Sequence, residues 1–309
     1  MPDYRQNLEF GYFLLPDAGD PAGTLATARL IDDLGYDLVG IQDHPYQPRH
    51  LDSLSLLAVI LGQTRRIRAF HSVANLALRP PAMLAKAAAS LDQLSGGRFE
   101  LGLGTGAFRE AIASMGGDDR SPAENLQALT EAIEIIRAMW RGAPGTHYSG
   151  KYYQLAGLHP GPTPAHDIGI WVGARGPRAL KLIGRAADGW VSPMMSYVPP
   201  GASARLSTVI DDAAREAARS PAAIRRIYPI PGAFTASAPR PASDADQKIV
   251  GPVDHWVQML EHLTADFGFS TFLLVGPPDP HALRTFIGEV APRVRERVAD
   301  RRAEQETRG

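Results

Sequence analysis

Residues 85–104, AKAAASLDQLSGGRFELGLG, decide the fold. Small and apolar residues recur at helical spacing up to Leu94, and the Gly96-Gly97 pair stops the helix. A short apolar run, residues 98–103, follows at once, and its composition is that of a strand buried on both faces. A helix that feeds a buried strand through a tight glycine turn is half of a parallel βαβ unit.

The same alternation extends in both directions. Towards the N-terminus, strands are expected at 8–14 (LEFGYFL), 37–42 (DLVGIQ) and 67–74. Helices are expected at 24–34, closed by Gly35, at 53–61, and at 81–94, opening on Pro81. Towards the C-terminus, residues 122–141 carry Leu126, Leu129, Ile133, Ile136 and Trp140 at helical spacing. Strands at 168–172, 189–192, 224–230 and 271–275 then alternate with helices at 177–186, 203–218, 253–267 and 281–294. The stretch 146–155 (THYSGKYYQL) reads as a small hairpin turning at Ser149-Gly150. Residues 231–250 read as a Pro-, Ala- and Ser-rich excursion at the rim, and 296–309 as a solvated helical tail that frays. Eight strands alternating with eight helices predict an α/β chain folded as a single (β/α)8 TIM barrel over residues 1–309. A doubly wound sheet usually has fewer units and a long crossover.

Composition narrows the function. The chain is 44% hydrophobic and 21% charged, an ordinary globular balance that excludes wholesale disorder. It has no cysteine, which removes disulfides, thiolate metal sites, iron–sulfur clusters and a cysteine nucleophile, and fits a cytoplasmic setting. A net charge of -1 leaves no electrostatic footprint for nucleic acid or an anionic membrane. Only Lys86, Lys151, Lys181 and Lys248 are lysines among 32 basic residues, a bias that suggests a high-GC source. No apolar run approaches the roughly 20 residues of a membrane span, and MPDYRQNLEF lacks the pattern of a signal peptide. No H-E-x-x-H, P-loop or G-x-S-x-G pattern occurs, and the Asp-Asp pairs read as solvated faces or caps, so no metal site is expected.

Barrel enzymes place their chemistry at the C-terminal ends of the strands. The second strand ends in Gln42-Asp43-His44-Pro45, where a histidine can give or take a proton near neutral pH. The third ends in His71-Ser72-Val73-Ala74-Asn75, with no motif of its own; His71 reads as a packed, satisfied histidine. The fourth ends in Gly102-Leu103-Gly104-Thr105-Gly106, whose glycines allow a flat ligand to come close. Its spacing is not that of a dinucleotide fingerprint. The fifth runs into Gly173-Ala174-Arg175-Gly176-Pro177, where a helix start and an arginine make an anion site. Met194, Met195 and Tyr197 read either as an apolar wall or as core filling.

Taken together, residues 35–44, 85–104, 173–192 (GARGPRALKLIGRAADGWVS) and 251–272 resemble the bacterial-luciferase-like flavin and deazaflavin oxidoreductases, a likeness spread from about residue 8 to 275. The LSGGR and GRAADGW runs make it specific. The resemblance implies a barrel that binds a flavin-type cofactor at the strand ends, with hydride transfer at its ring. It implies a non-prolyl cis peptide at Ser72-Val73, against which the ring packs. It points to Asp43, Ser72, Val73, Ala74, Asn75, Gly104, Thr105, Gly106, Gly173, Ala174, Arg175 and Gly176 as cofactor residues, with His44 as the proton donor or acceptor. An Asp-His pair at the second strand, rather than Glu-His, favours coenzyme F420 over FMN.

Two positions depart from the deazaflavin sugar-phosphate dehydrogenases of that family. Ala107 stands where they carry an acidic Glu, and Glu110, further along, is not assumed to replace it. Pro48 stands at their aromatic position, with Tyr46 nearby. A sugar phosphate is therefore disfavoured, and the expected activity is F420-dependent hydride transfer to or from a small, fairly apolar organic substrate. The alternatives are an FMN-dependent monooxygenase supplied by a separate reductase, a cofactor-binding barrel without turnover, and a barrel that binds no flavin, such as a phosphosugar isomerase. A homodimer is the family expectation.

Overall fold

Gly11 sits where the barrel wall is tightest. A β-carbon there would lie 2.6 Å from a Leu273 methyl and 2.7 Å from the Leu38 carbonyl oxygen, so only glycine fits. The computed structural model describes residues 3–237 and 240–308. Its barrel strands are β1 (Glu9–Leu14), β2 (Leu38–Ile41), β3 (Arg68–His71), β4 (Phe99–Gly104), β5 (Ile170–Gly173), β6 (Gly189–Val191), β7 (Arg225–Phe234) and β8 (Thr271–Val275). Each pairs in parallel with the next. The ring closes where β1 meets β8, with Glu9 opposite Thr271 and Tyr12 opposite Leu274. The (β/α)8 barrel read from the sequence is the observed fold.

The helices follow from local chemistry. Besides a short helix Arg109–Ser114 in the loop after β4, they are α1 (Pro21–Leu34), α2 (Ser53–Gln63), α3 (Pro81–Ser95), α4 (Pro122–Arg141), α5 (Pro177–Ala186), α6 (Pro200–Glu216) and α7 (Val253–Phe267), followed by α8 (Pro280–Thr285) and α9 (Ala291–Arg308). Proline opens most of them, where its missing N–H costs nothing. Ser121 and Glu124 cap α4 reciprocally, and left-handed glycines end α1, α3, α4 and α7.

Two apolar layers result. The larger fills the space between strands and helices, from Phe10 and Ile31 to Trp256 and Phe286. The smaller lies inside the barrel and consists of Phe13, Leu38, Phe70, Trp171, Val191, Ile227 and Leu273, with Val73 and Val275 packed against it. At the N-terminal end of the strands the interior is closed by charge: Glu9 pairs with Arg68 and, at 3.0 Å, with Arg225, while Arg68 reaches Glu100 at 3.1 Å. The C-terminal end is left for ligands.

Some boundaries differ from the sequence expectation. The third strand breaks after His71 at a cis Ser72-Val73 peptide, and Ala74–Asn75 resumes as a short pairing on β4. The hairpin strands are Thr146–Ser149 and Gln154–Leu158. Within the predicted excursion, β7 continues to Phe234 and pairs with a short strand Ile249–Gly251, so part of it is sheet; residues 238–239 lie outside the described part. The tail expected to fray from 296 is instead the body of α9, joined to α8 through a π turn (Phe286–Val290). It holds because Val298 is buried and the Arg302 guanidinium takes both carboxylate oxygens of Asp3, at 2.6 and 2.9 Å. Residue 309 lies outside the described part. Among the described residues no helix is long and apolar enough to cross a membrane.

Candidate active site

The strand ends open onto a cleft of about 700 Å3. Its walls are mostly apolar. Phe13 and Val191 continue the inner core layer into the floor, and Pro122, Leu126, Met194 and Tyr197 stand around it. Among the described residues, no carboxylate side chain lines it, and its charged residues are Arg175 and Arg178. A second hollow of about 590 Å3, between the ends of β7 and β8 and helix α8, contains none of the residues singled out in the sequence.

The strand-three break shapes the middle of the cleft. Val73, just past the cis bond, projects against two glycines: a β-carbon on Gly104 would lie 2.6 Å from its Cγ2, and one on Gly173 2.9 Å. Gly102 is equally committed, since a β-carbon there would lie 1.8 Å from the His71 carbonyl oxygen. These glycines give the bulge the room that any larger residue would take. The result is a smooth ledge of Ser72, Val73 and Gly173 on the cleft surface, suited to the face of a flat ring system.

His44 stands on one side of this ledge. Its ring stacks on Tyr46, with centroids 5.4 Å apart and planes 22° apart, and meets the edge of Phe108 at 5.4 Å. His50 lies nearly parallel at 6.5 Å. The Gln42 amide Nε2 is 2.9 Å from His44 Nδ1 and 3.4 Å from Nε2. Burial lowers the imidazole below the ordinary histidine range and the neighbouring His50 adds to this, against an opposing pull from Asp43. His44 is therefore a largely neutral base near pH 7 that still reaches the cleft.

Asp43 faces the other way. Its side chain is buried, 2% exposed, and each carboxylate oxygen accepts two hydrogen bonds. Oδ1 takes the Ser53 hydroxyl at 2.7 Å and Arg79 Nη2 at 2.8 Å; Oδ2 takes the Asn75 N–H and Arg79 Nε, both at 2.8 Å. Burial pushes this carboxyl up, but the hydrogen bonds and charge of Arg79 outweigh it and hold it at about 2. The knot ties the end of β2 to the start of α2, to the segment after the bulge and to the approach to α3. His71, behind it, is wholly buried, and its ring nitrogens have no hydrogen-bond partner; burial pushes it down to about 4. The sequence reading of a satisfied histidine is corrected there: it is packed edge-on against Phe99 at 5.9 Å but not satisfied.

On the opposite side, Gly173 to Arg178 wrap the start of α5. Gly176 is its N-cap and supplies no side chain, so the first-turn N–H groups face the cleft rim together with Arg175 and Arg178. Neither arginine has an ion-pair partner among the described residues. Trp190 fixes the turn by donating its indole N–H to the Ala174 carbonyl at 2.9 Å. This corner suits an anionic group, and with the apolar ledge it fits a flat ring that carries an anionic arm.

The sequence-predicted residues thus divide. His44, Ser72, Val73, Thr105, Gly173, Ala174, Arg175 and Gly176 meet at the cleft. Asp43, Ala74, Asn75, Gly104 and Gly106 are not among its lining residues; they lie beneath or beside it, and the positive φ of Gly106 serves the turn. Met194 lines the cleft while Met195 is core. Arg178 and Arg79 escape the sequence reading, which gives Gln42 no role. Arg178 lies one helical step past the glycine turn and was recoverable as a second first-turn cation, whereas Arg79 joins Asp43 only through the fold. Among the described residues there is no group of three or more His, Asp or Glu side chains placed to hold a metal ion.

Comparison with known proteins agrees with this architecture. Residues 8–286 match the luciferase-like monooxygenase family. An F420-dependent glucose-6-phosphate dehydrogenase of Gordonia bronchialis is 32% identical over 194 residues, covering 60% of this chain and 57% of that protein. The matched region thus spans less than two thirds of that relative. The structure of an F420-dependent secondary alcohol dehydrogenase, in complex with an F420-acetone adduct, superposes with a TM-score of 0.81 at 18% identity over 94% of this chain and 99% of that one. The FMN-bound oxygenating constituent of 3,6-diketocamphane monooxygenase from Pseudomonas putida superposes with a TM-score of 0.74 at 20% identity, over 93% and 98%. With the barrel, the strand-end cleft and a family match over most of its length, the chain belongs to the luciferase-like monooxygenase family.

Proposed function

We propose that the protein is an F420-dependent oxidoreductase that exchanges a hydride with a small, fairly apolar organic substrate, with His44 handling the proton. One observation carries the reading. The cleft sets an apolar ledge between a neutral histidine and a cationic corner, and no other imidazole and no carboxylate lines it among the described residues. The relatives named for F420 support the cofactor. The bound deazaflavin supplies hydride transfer.

The chain's own part is to hold and to protonate. Val73 and Gly173 support a ring face; Thr105 and Ala174 border it; Arg175, Arg178, Gly176 and the first turn of α5 take the anionic arm. His44 gives or takes a proton at Nε2, the ring nitrogen farther from the Gln42 amide. The buried Asp43, Asn75, Ala74 and Gly104, with the half-buried Gly106, shape the cleft from behind. Ala107 lies on the cleft surface and offers no acid, which supports an apolar substrate over a sugar phosphate.

The same corner suits the phosphate of FMN, and the fold shared with an FMN-bound monooxygenase supports a second reading, in which a separate reductase supplies reduced flavin and oxygen is consumed. Val59 on α2 and Met83 and Leu94 on α3 are exposed large apolar side chains, which supports the homodimer, and the cysteine-free composition supports a cytoplasmic setting. The deciding experiment is equilibrium binding of F420 and FMN, oxidised and reduced, side by side. A tenfold preference for the deazaflavin, about 1.4 kcal/mol, is expected. Preference for reduced FMN would move the protein to the monooxygenases, and binding of neither would remove the function while leaving the barrel.

A further inference from the structure

Adjacent Asp and His residues at a strand end invite the reading of an acid–histidine couple, in which the carboxylate orients and charges the imidazole. The geometry excludes it. Asp43 accepts two hydrogen bonds on each oxygen, the full capacity of a carboxylate, and none comes from His44. Arg79 supplies two of the four as a bidentate fork, and its Nη2 also reaches Asp52 at 2.5 Å. We propose that Arg79 is a positioning residue that occupies the Asp43 carboxylate and weakens the pull of its charge on His44, leaving the imidazole to Gln42 and to the rings around it.

The groups around both partners are few. Facing His44 are Gln42, the Tyr46 phenol and His50 from its own loop, and Phe108 from the loop after β4. Facing Asp43 are Ser53 at the start of α2, Asn75 past the bulge and Arg79, with His71 close enough to interact by charge; Asp52 joins the cluster through Arg79 and acts on His71. Arg79 is the cation that balances the buried carboxylate directly. Without it, Asp43 would turn an uncompensated negative charge towards the imidazole next in sequence. The arrangement also locks the histidine-bearing loop to the segment that carries Val73, because Asp43 holds Asn75 N–H and Arg79 at once.

The inference rests on His44 as the proton-handling group, but its test needs neither cofactor nor turnover. Protein labelled with 13C at the histidine ring is titrated by NMR, with the His44 resonance assigned from His44→Ala. Asp43→Asn is expected to move the His44 midpoint down by less than about half a pH unit, because Arg79 already offsets most of the charge it removes. Arg79→Met is expected to raise the midpoint by about one unit or more, and the Asp43→Asn/Arg79→Met double variant to return it to near the wild-type value. A purely structural role for Arg79 would not produce that sign or its reversal. A large shift in Asp43→Asn with Arg79 intact, or no shift in Arg79→Met, overturns the proposal. If Arg79→Met does not fold, the Asp43→Asn titration decides alone, in the same two directions. Binding of F420 or FMN, measured separately, reports on the site reading, so each can fail without the other.

Discussion

The Cγ2 methyl of Val73 lies 2.9 Å from the point a β-carbon on Gly173 would occupy. Real β-carbons do not approach so closely, so Gly173→Ala must push Val73 out of the ledge. Overpacking of this kind costs about 1–3 kcal/mol. We expect a lower melting temperature and at least roughly tenfold weaker F420 binding by fluorescence titration. Gly176→Ala is the control: its β-carbon meets nothing within 4 Å, and the melting temperature should stay put. Unchanged binding in Gly173→Ala would show that the ledge does not seat the ring.

His44→Ala should separate chemistry from binding. Removal of a positioned acid or base costs about 10²–10⁴ in rate. On the proposed reading the ledge and the cationic corner hold F420, so the dissociation constant should change little. Turnover indifferent to the change would take His44 out of the mechanism.

Arg175 and Arg178 should act on binding alone. Each hydrogen bond to a charged group contributes about 1.5–3 kcal/mol, so either Arg→Ala change should weaken cofactor binding roughly tenfold or more. Rising salt should weaken the wild type more than the variants. Titrations at two ionic strengths check this, and equal salt dependence in all three proteins would place the anion elsewhere.

His71 makes a prediction about pH. Its folded value of about 4 lies below the ordinary 6.5, so between those values the unfolded chain binds the extra proton. Stability is complete above 6.5 and falls as the pH drops towards 4, by an amount on the order of 3 kcal/mol if this group acts alone. His71→Leu removes both the titration and two unpartnered nitrogens, and should flatten the dependence of melting temperature on pH without loss at pH 7. Wild-type and variant melts across that range measure it, and parallel curves would refute it.

What could be read beforehand followed the range of the forces involved. Helix α5, helix α7 and strand β8 begin and end where proline, glycine and β-branched runs put them, because those boundaries are set within a few residues. Arg175 and His44 were legible because a strand end in a barrel fixes where a side chain stands. Asp43 was visible as a residue but not in its partner, since Arg79 joins it from 36 positions away. The terminal helix α9 was misjudged for the same reason: its Arg/Glu-rich sequence reads as solvated until Asp3 is brought to Arg302 from the other end of the chain.

The ring of Glu9, Arg68, Glu100 and Arg225 has a kinetic consequence. Together with the apolar layer above it, that ring closes the barrel interior from below, so the cleft is reached from the strand-end side, where Tyr197 on its wall is 75% exposed. On the proposed reading, a ring seated on the ledge of Val73 and Gly173 lies beneath whatever binds after it. Whatever seats deepest must arrive first and depart last, so steady-state patterns should be those of a compulsory order of addition, with the outer ligand blocking exit of the inner one at high concentration.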